Sequence, residues 1–580
     1  MLPVGLGEAT NDAPSCRWQL APPPPLALLQ GLPDYHRVAV SALAQRGISE
    51  PAAAREFLEH HDIGRSPFEL KGMPEAVTRL RQAIRAGERI AVYGDFDADG
   101  VTATALLCQT LTALGADVRS FIPHRQRDGY GVHREALAGL MQDGVKVVIT
   151  VDCGIRAGEE VQFAKEHGLD VIVTDHHVLP EELPGALAVI NPRRPDCDYG
   201  FDGFAGVGLA FKLAQSLLRA EAQVASARAT ALAEADLLDL VALGTVADVV
   251  PLLGENRVLV HQGLAALRAG RRPGVRALCG IAGVEPDALT ARGVAFVLAP
   301  RLNAAGRMGD AAAALRLLLA PDEPTAAPLA AELEAANDQR RAATEQALLA
   351  AEAALAGRGE LPFVFFADTA VALGVVGLVA GRLAERHYRP AAVVRVEGEL
   401  ARGSARSIPE FDIVAALDEV ADLLVRHGGH ARAAGFTVRS ADVATLESRL
   451  RELAGQALDG RDLRPTLAID AEVQAAELDM ALLEAVERLE PFGEGNPRPL
   501  LLWRRAPVQA VRRVGEKHLK FRLRGPRGEL DAISFGHGDR GRRVPSGLDA
   551  VDVVFSLHLS RWGGVPHLEL RVRDWRPALP

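Results

Sequence analysis

Three short β-branched runs, Arg89-Ile-Ala-Val-Tyr93, Val145-Lys-Val-Val-Ile-Thr-Val151 and Asp170-Val-Ile-Val-Thr174, are each flanked by helix-like stretches such as residues 101–114 and 158–167. Strands alternating with helical segments are the pattern of βαβ units, so the chain is expected to build a parallel sheet. In such a sheet the loops that leave the carboxyl ends of the strands lie side by side, and ligands bind there.

At 580 residues the chain is longer than one hydrophobic core serves, and roughly three to four domains are expected. Residues 1–70 read as a Pro- and Ala-rich N-terminal extension packed on the domain next to it, and 71–320 as the first α/β domain. An Ala-, Glu- and Gln-rich stretch with Pro only near its start predicts a long connecting helix over 321–357. A smaller α/β domain comes next, over 358–458, with strands at 363–366 and 391–396. Over 465–580 the pattern changes to short strands and Gly/Pro turns, at 492–499 and 525–528, which predicts a small β-barrel.

Several classes are disfavoured. The first twenty residues lack a basic start and apolar run, and the most apolar later stretch, 370–380, is too short to span a bilayer, so a cytoplasmic location is expected. Five scattered cysteines without a Cys-x-x-Cys pair argue against a disulfide framework and a zinc ribbon. The net charge of −10 speaks against nucleic acid, but charge is unevenly placed: residues 498–543 hold thirteen Arg or Lys against four acids. Base composition accounts for Arg over Lys, of which there are six, but not for this clustering, so the segment is expected to track a phosphate backbone.

Directly after the first run lies Gly94-Asp-Phe-Asp-Ala-Asp-Gly100. In an extended loop, alternate spacing points Asp95, Asp97 and Asp99 to one side, where like charges repel unless a cation lies among them. A calcium loop of EF-hand type is disfavoured, because Leu106 stands where its liganding Glu belongs. Asp152 comes after the second run and Asp175-His176-His177 after the third, so both emerge at the same sheet edge. Asp248 closes a helix and adds a fourth source of ligands. Oxygen-rich ligation with one imidazole suits Mn²⁺ or Mg²⁺ rather than zinc. Gly206 and Gly208 read as an ordinary turn.

These residues, with Val151-Asp-Cys-Gly154, Phe204-Ala-Gly-Val-Gly208, Gly244-Thr-Val-Ala-Asp248, Arg301-Leu-Asn-Ala-Ala-Gly-Arg-Met308, Arg406-Ser407 and Gly428-Gly-His430, resemble the DHH phosphoesterases in order and spacing. Within that family they are similar to the bacterial single-strand-specific 5′ to 3′ DNA exonucleases, over nearly the whole chain. The resemblance implies an α/β multidomain fold: a parallel-sheet DHH domain, a connecting helix, a smaller α/β DHH-associated domain and a C-terminal OB-like β-barrel. It implies two-metal hydrolysis that releases nucleoside 5′-monophosphates from single-stranded DNA in recombination and repair. It further implies a monomer that works with single-stranded-DNA-binding protein and a RecQ-type helicase.

Carried over residue by residue, Asp95, Asp97 and Asp152 would bind one ion, and Asp99, Asp152, His176 and Asp248 the other. His177 is open between a ligand, a packed histidine oriented by Asp175, and the favoured role of phosphate contact or proton transfer. Arg301 and Arg307 flank Asn303 in what reads as a helix-breaking turn, where a guanidinium would grip phosphate; the alternative is a solvated or domain-bridging Arg. Ser404, Arg406, Ser407 and His430 are expected on the strand downstream of the cut. Val371-Ala372 replaces the family's Trp-His pair, which puts that local contact in doubt. In the barrel Trp503, His518, Lys520 and Trp562 lie among Arg residues in a pattern suited to base stacking, with Phe521 read as core. Two rivals stand: a DHH hydrolase of small phosphate substrates, which needs no basic barrel, and a silent nucleic-acid scaffold, which would usually have lost the acidic ligands.

Overall fold

The computed structural model describes residues 16–59, 64–125, 127–223, 231–515, 518–525, 528–535, 549–560 and 566–578. The chain divides into two compact units. One is His60–Ala342 with Pro491–Pro497; the other is Met1–Glu59, Ala343–Glu490 and Arg498–Pro580.

The first unit is built on five strands, β1 (Arg89–Tyr93), β2 (Val118–Phe121), β3 (Val145–Val151), β4 (Asp170–Thr174) and β5 (Ala188–Ile190). They pair in the order β2-β1-β3-β4-β5, all parallel. Alternate residues enter two different cores: Ile90, Val92, Val147, Ile149 and Ile172 pack on one face, and Ala91, Tyr93, Val148, Val171 and Val173 on the other. Both faces are therefore dry, which is why the runs are apolar throughout rather than alternating. The first face is covered by α1 (Ala98–Ala113), α2 (Gly206–Ala222) and α3 (Leu238–Ala247). Leu106, Leu107 and Leu111 of α1 are fully buried, each contributing about 1.5–3 kcal/mol of hydrophobic stabilisation. The strand order reverses beside β1, and the loops after β1 and β3 open at that switch point.

Further helices of the unit include α4 (Gly254–Arg268) and α5 (Ala299–Met308), and α6 (Glu323–Leu355) begins in it. The 33-residue α6 continues from one unit into the next, with Pro324 and Pro328 confined to its first turns.

In the second unit a five-stranded sheet contains β6 (Val364–Asp368), β7 (Ala391–Glu397), β8 (Leu400–Arg406), β9 (Leu424–His430) and β10 (Ala433–Arg439), in the order β9-β10-β8-β7-β6. Only β6 and β7 were legible as strands; β8, β9 and β10 add antiparallel pairs. Leu-Ala-Arg-Gly-Ser-Ala-Arg and Leu-Val-Arg-His-Gly-Gly-His are poor in β-branched residues, so their pairing comes from tertiary context rather than propensity.

Five further strands, β11 (Leu501–Val514), β12 (His518–Gly525), β13 (Gly528–Ser534), β14 (Ala550–Ser560) and β15 (His567–Pro577), run in the order β11-β12-β13-β15-β14. Pairing of β14 back onto β11 closes the barrel and leaves it without an open edge. Trp562 and, from the basic cluster, Glu516, Lys517, Arg527, Asp539, Arg540, Arg542 and Arg543 lie outside the described residues.

The N-terminal segment up to Glu59 groups with the second unit. Its strand Arg17–Leu20 pairs in parallel with Thr466–Ile469, Trp18 Nε1 donates to Asp574 Oδ2 at 2.8 Å, and Arg37 pairs with Glu477. A four-residue strand needs a partner for its backbone groups, and here the partner comes from the far end of the chain. Among the described residues no helix is long and apolar enough to cross a membrane.

Candidate active site

The loop after β1 is shaped by the start of α1. Asp97 is the N-cap, its carboxylate accepting from the Asp99 and Gly100 amides at 3.0 and 3.1 Å. Asp99 therefore lies in the first helical turn, not in an extended loop, and the expectation that all three acids face one way is corrected. They divide: Asp95 and Asp97 gather with Asp152, while Asp99 gathers with His176 and Asp248, the ligand atoms of each group lying within 4.8 Å of one another. Asp152 also groups with His176 and His177. It thus stands between the clusters.

Each carboxylate is held by a different device. Asp152 has φ of 60°, a left-handed conformation that Asp tolerates better than most residues. Its amide donates to Thr174 at 3.1 Å and its carbonyl accepts from the Tyr130 hydroxyl at 3.2 Å. Asp99 accepts two backbone bonds, from Gly206 at 2.6 Å and Val207 at 2.8 Å, at the start of α2. Asp248 is the C-cap of α3. His176 Nε2 lies 3.0 Å from Asp152 Oδ1 and 3.7 Å from Asp248 Oδ2, and its ring donates to the backbone of Phe204. Asp175 accepts from the Ile155 amide and from both the amide and Nδ1 of His177. The His177 side chain remains 39% exposed, so it can meet an incoming group while Asp175 fixes its ring.

Burial, reinforced by neighbouring carboxylates, drives the acids toward the protonated form. Asp95 and Asp152 are held well above the usual carboxylate range, Asp99 is pushed up to about 7 and Asp248 to about 9. Burial and the neighbouring His177 push His176 down to about 4, which leaves a neutral imidazole. For His177 burial works downward, but the hydrogen bond and charge of Asp175 outweigh it and raise the ring. Asp95 Oδ1 is buried without a hydrogen-bond partner among the described residues. An orphaned carboxylate oxygen beside Asp97 and Asp152 is a costly arrangement for protein alone. It fits a hard cation, as does the wider donor set of carboxylates with one neutral imidazole.

Other expected site residues fall elsewhere. Residues 301–308 belong to α5, so the helix-breaking turn is corrected. Arg301 is 5% exposed and bonded to Glu334 and the Val297 carbonyl. Asn303 Oδ1 accepts from the Ala98 amide at 2.8 Å and thereby fastens the start of α1; Arg307 is half-buried on the last turn of α5. Ser407 is buried, its hydroxyl donating to the Phe411 carbonyl. Trp503 is 4% exposed and packs inside the barrel, so it offers no stacking face; Phe521 is core as read. Lys520 is paired with Asp531 at 2.7 Å. Ser404 Oγ accepts from Arg406 Nη1 at 2.8 Å, and His430 is exposed at the end of β9. Val371, in the substituted pair, is buried.

Two arginines that carry no motif also belong here. The charge of Arg125, in the loop after β2, acts on Asp95 and Asp97, with its guanidinium 4.7 Å over the Phe96 ring. Arg193, in the loop after β5, acts on Asp248 and His176. The signal available in sequence was only their place a few residues past a strand end.

The description "DHH family, N-terminal domain" matches residues 89–245, "DHHA1 domain" 362–456 and "RecJ OB domain" 469–574. The single-stranded-DNA-specific exonuclease RecJ of Salmonella typhimurium (strain LT2) is 38% identical, over 92% of this chain and 95% of that protein. A crystal structure of RecJ from Thermus thermophilus in complex with Mn²⁺ superposes with a TM-score of 0.82 at 33% identity, covering 97% of this chain and 80% of the other. A second structure from that organism, in complex with Mg²⁺, gives 0.76 at 32% identity, with 97% and 79% covered. Similarity of this extent, across three matched domains and on a parallel-sheet unit, a second α/β unit and a closed barrel, places the chain in the DHH-domain family of single-stranded-DNA-specific exonucleases known as RecJ.

Proposed function

We propose that this chain is a metal-dependent exonuclease that degrades single-stranded DNA from the 5′ end and releases nucleoside 5′-monophosphates. The observation that carries the metal centre is the pair of adjoining clusters, Asp95 and Asp97 with Asp152, and Asp99 and Asp248 with neutral His176, with Asp95 Oδ1 left orphaned. Asp95, Asp97 and Asp152 would hold one ion; Asp99, Asp152, His176 and Asp248 would hold the other, with Asp152 shared. When bound, two Mn²⁺ or Mg²⁺ ions supply a hydroxide nucleophile near neutral pH and neutralise charge on the phosphate.

The protein's own groups do the rest. Gly206 and Val207 aim the Asp99 carboxylate by backbone bonds. His177, whose protonated form is favoured by the Asp175 hydrogen bond and which is partly exposed, is placed to contact a phosphate oxygen or give a proton to the leaving 3′ oxygen. Arg125 and Arg193 bring positive charge to the two sides of the acidic cluster, where substrate phosphates would lie. Ser404, Arg406 and His430 are proposed contacts for the strand, and exposed barrel arginines such as Arg512 and Arg524 for its phosphates. Arg301, held by Glu334, and Asn303, bonded to the Ala98 amide, serve the site through α5, and Arg307 on its last turn is a proposed phosphate contact. A role in recombination and repair beside single-stranded-DNA-binding protein and a RecQ-type helicase, as a monomer, completes the proposal.

The test is a 5′-phosphorylated oligonucleotide labelled at either end and incubated with Mn²⁺. Early label release from the 5′ end as mononucleotide is expected, with Asp97→Ala and Asp152→Ala inactive yet still binding the strand. Release from the 3′ end first, or full cutting by either variant, defeats the proposal.

A further inference from the structure

Behind the acidic cluster lies a charged pair that the chemistry above does not use. Lys212, one and a half turns into α2, is fully buried, and its Nζ sits 2.6 Å from Glu255 Oε2 at the start of α4. The ammonium also faces the rings of Tyr199 and Phe204, with centroids at 5.7 and 5.6 Å. The Tyr199 hydroxyl donates to the same Glu255 oxygen at 3.0 Å. The next residue, Asn256, is fully buried and donates to the carbonyls of Gly203 at 2.6 Å and Pro251 at 3.1 Å.

Tyr199, Gly203 and Phe204, which take contacts from all three residues of this cluster, belong to the segment that leads into the metal-facing backbone. Phe204 takes a hydrogen bond from His176, and Gly206 and Val207 give theirs to Asp99. A buried ion pair contributes little net stability compared with an apolar replacement, because two charges must be desolvated to form it. Its retention in a dry core calls for another reason, and a fixed geometry is one that charge can supply.

We propose that Lys212, Glu255 and Asn256 are positioning residues: they lock residues 199–207 so that one backbone segment aims His176 and Asp99 together. The proposal rests on those two side chains being metal ligands. A loosened segment leaves the ligands in place chemically but spreads their orientation, so metal affinity falls while the surface that meets DNA is unchanged.

The experiment uses the full chain with Lys212→Met and Glu255→Gln, the second a near-isosteric change that keeps an acceptor for Tyr199. Mn²⁺ binding is read from the electron paramagnetic resonance signal of free Mn²⁺, beside near-ultraviolet circular dichroism, kcat and KM. Wild-type Mn²⁺ binding tests the ligand assignment by itself; the ratio of variant to wild type tests the proposal. A loss of about 10- to 100-fold in Mn²⁺ affinity is expected, with kcat reduced at limiting Mn²⁺ and KM for the oligonucleotide unchanged. If Lys212→Met does not fold, Glu255→Gln decides. A natively folded Glu255→Gln protein with wild-type Mn²⁺ affinity and rate overturns the proposal.

Discussion

Replacing Gly206 by alanine should lower turnover about 100-fold in a chain that still folds. A Cβ built at Gly206 would lie 2.6 Å from Asp152 Cβ, and 2.9 Å from both its Cγ and Oδ1. The nearest of these contacts falls about 0.8 Å short of ordinary van der Waals separation. The clash is at the root of the Asp152 side chain, so no rotamer of its far end relieves it. Nor can the backbone give easily, since Asp152 already sits at positive φ with its amide and carbonyl both bonded. Either Asp152 or the start of α2 must move by most of an ångström, and the second choice lengthens the 2.6 Å bond from Gly206 to Asp99. Misplacement on that scale costs about 100-fold in rate, or ~2.7 kcal/mol of transition-state stabilisation. Overpacking costs only about 1–3 kcal/mol of stability. The assay is kcat for mononucleotide release at saturating Mn²⁺, with a thermal melt beside it. Gly208→Ala is the control, because its Cβ meets only the Phe204 ring edge and Cβ at 3.0 and 3.4 Å, and a change of a few-fold is expected there. Wild-type kcat in Gly206→Ala would refute the view that Asp152 is rigidly placed.

Three further outcomes are expected from the same geometry. In the metal-free protein Asp99 and Asp248 stay protonated to about 7 and about 9, mainly through burial. Folding then binds protons that the unfolded chain has released, so stability falls as pH rises from about 4 toward 9. Melting with and without Mn²⁺ at pH 6 and 8.5 should show the metal-dependent gain growing with pH, and a constant gain would count against the raised carboxyls. Loading with Mn²⁺ at pH 7 should release protons, measurable by titration in weak buffer; silent uptake would contradict protonated ligands. Arg301→Ala removes the partner of Glu334 and should lower stability by roughly 3 kcal/mol while changing the KM for DNA little; the reverse result would restore a direct phosphate grip.

The parts of this fold that could be read from sequence are those in which one local rule dominates. The runs ending at Tyr93, Val151 and Thr174 are buried on both faces, so their apolar character survives any detail of packing, and the acids that come after them land at one sheet edge. Asp175 beside His177 was legible for the same reason, since a carboxylate two residues away can reach the ring. What stayed hidden depends on who approaches from afar. A backbone amide is common to every residue, so nothing marks Gly206 and Val207 as the donors to Asp99, more than a hundred positions earlier. The partner of Arg301, Glu334, is one acid among many on a long helix. Trp503 among arginines looked like a stacking platform, but β11 turns that side chain into the barrel.

The glycines near the site show why a default reading fails. Reading Gly206 and Gly306 as turn residues supposes that glycine is used for its backbone freedom, yet both, like Gly244, belong to helices. What they share is closeness to the acidic cluster. An added Cβ would meet Asp152 at Gly206, Thr102 and Asp99 at Gly244, and the Phe96 carbonyl, at 2.5 Å, at Gly306. In each case the missing side chain lets a rigid helix press against the segment that carries an acid. With Asn303 fastening the Ala98 amide from α5, the carboxylates are fixed from three sides by α2, α3 and α5. Cluster geometry in this protein is therefore set by helix approach, and alterations in α2, α3 or α5 that touch no ligand should still act on the reaction.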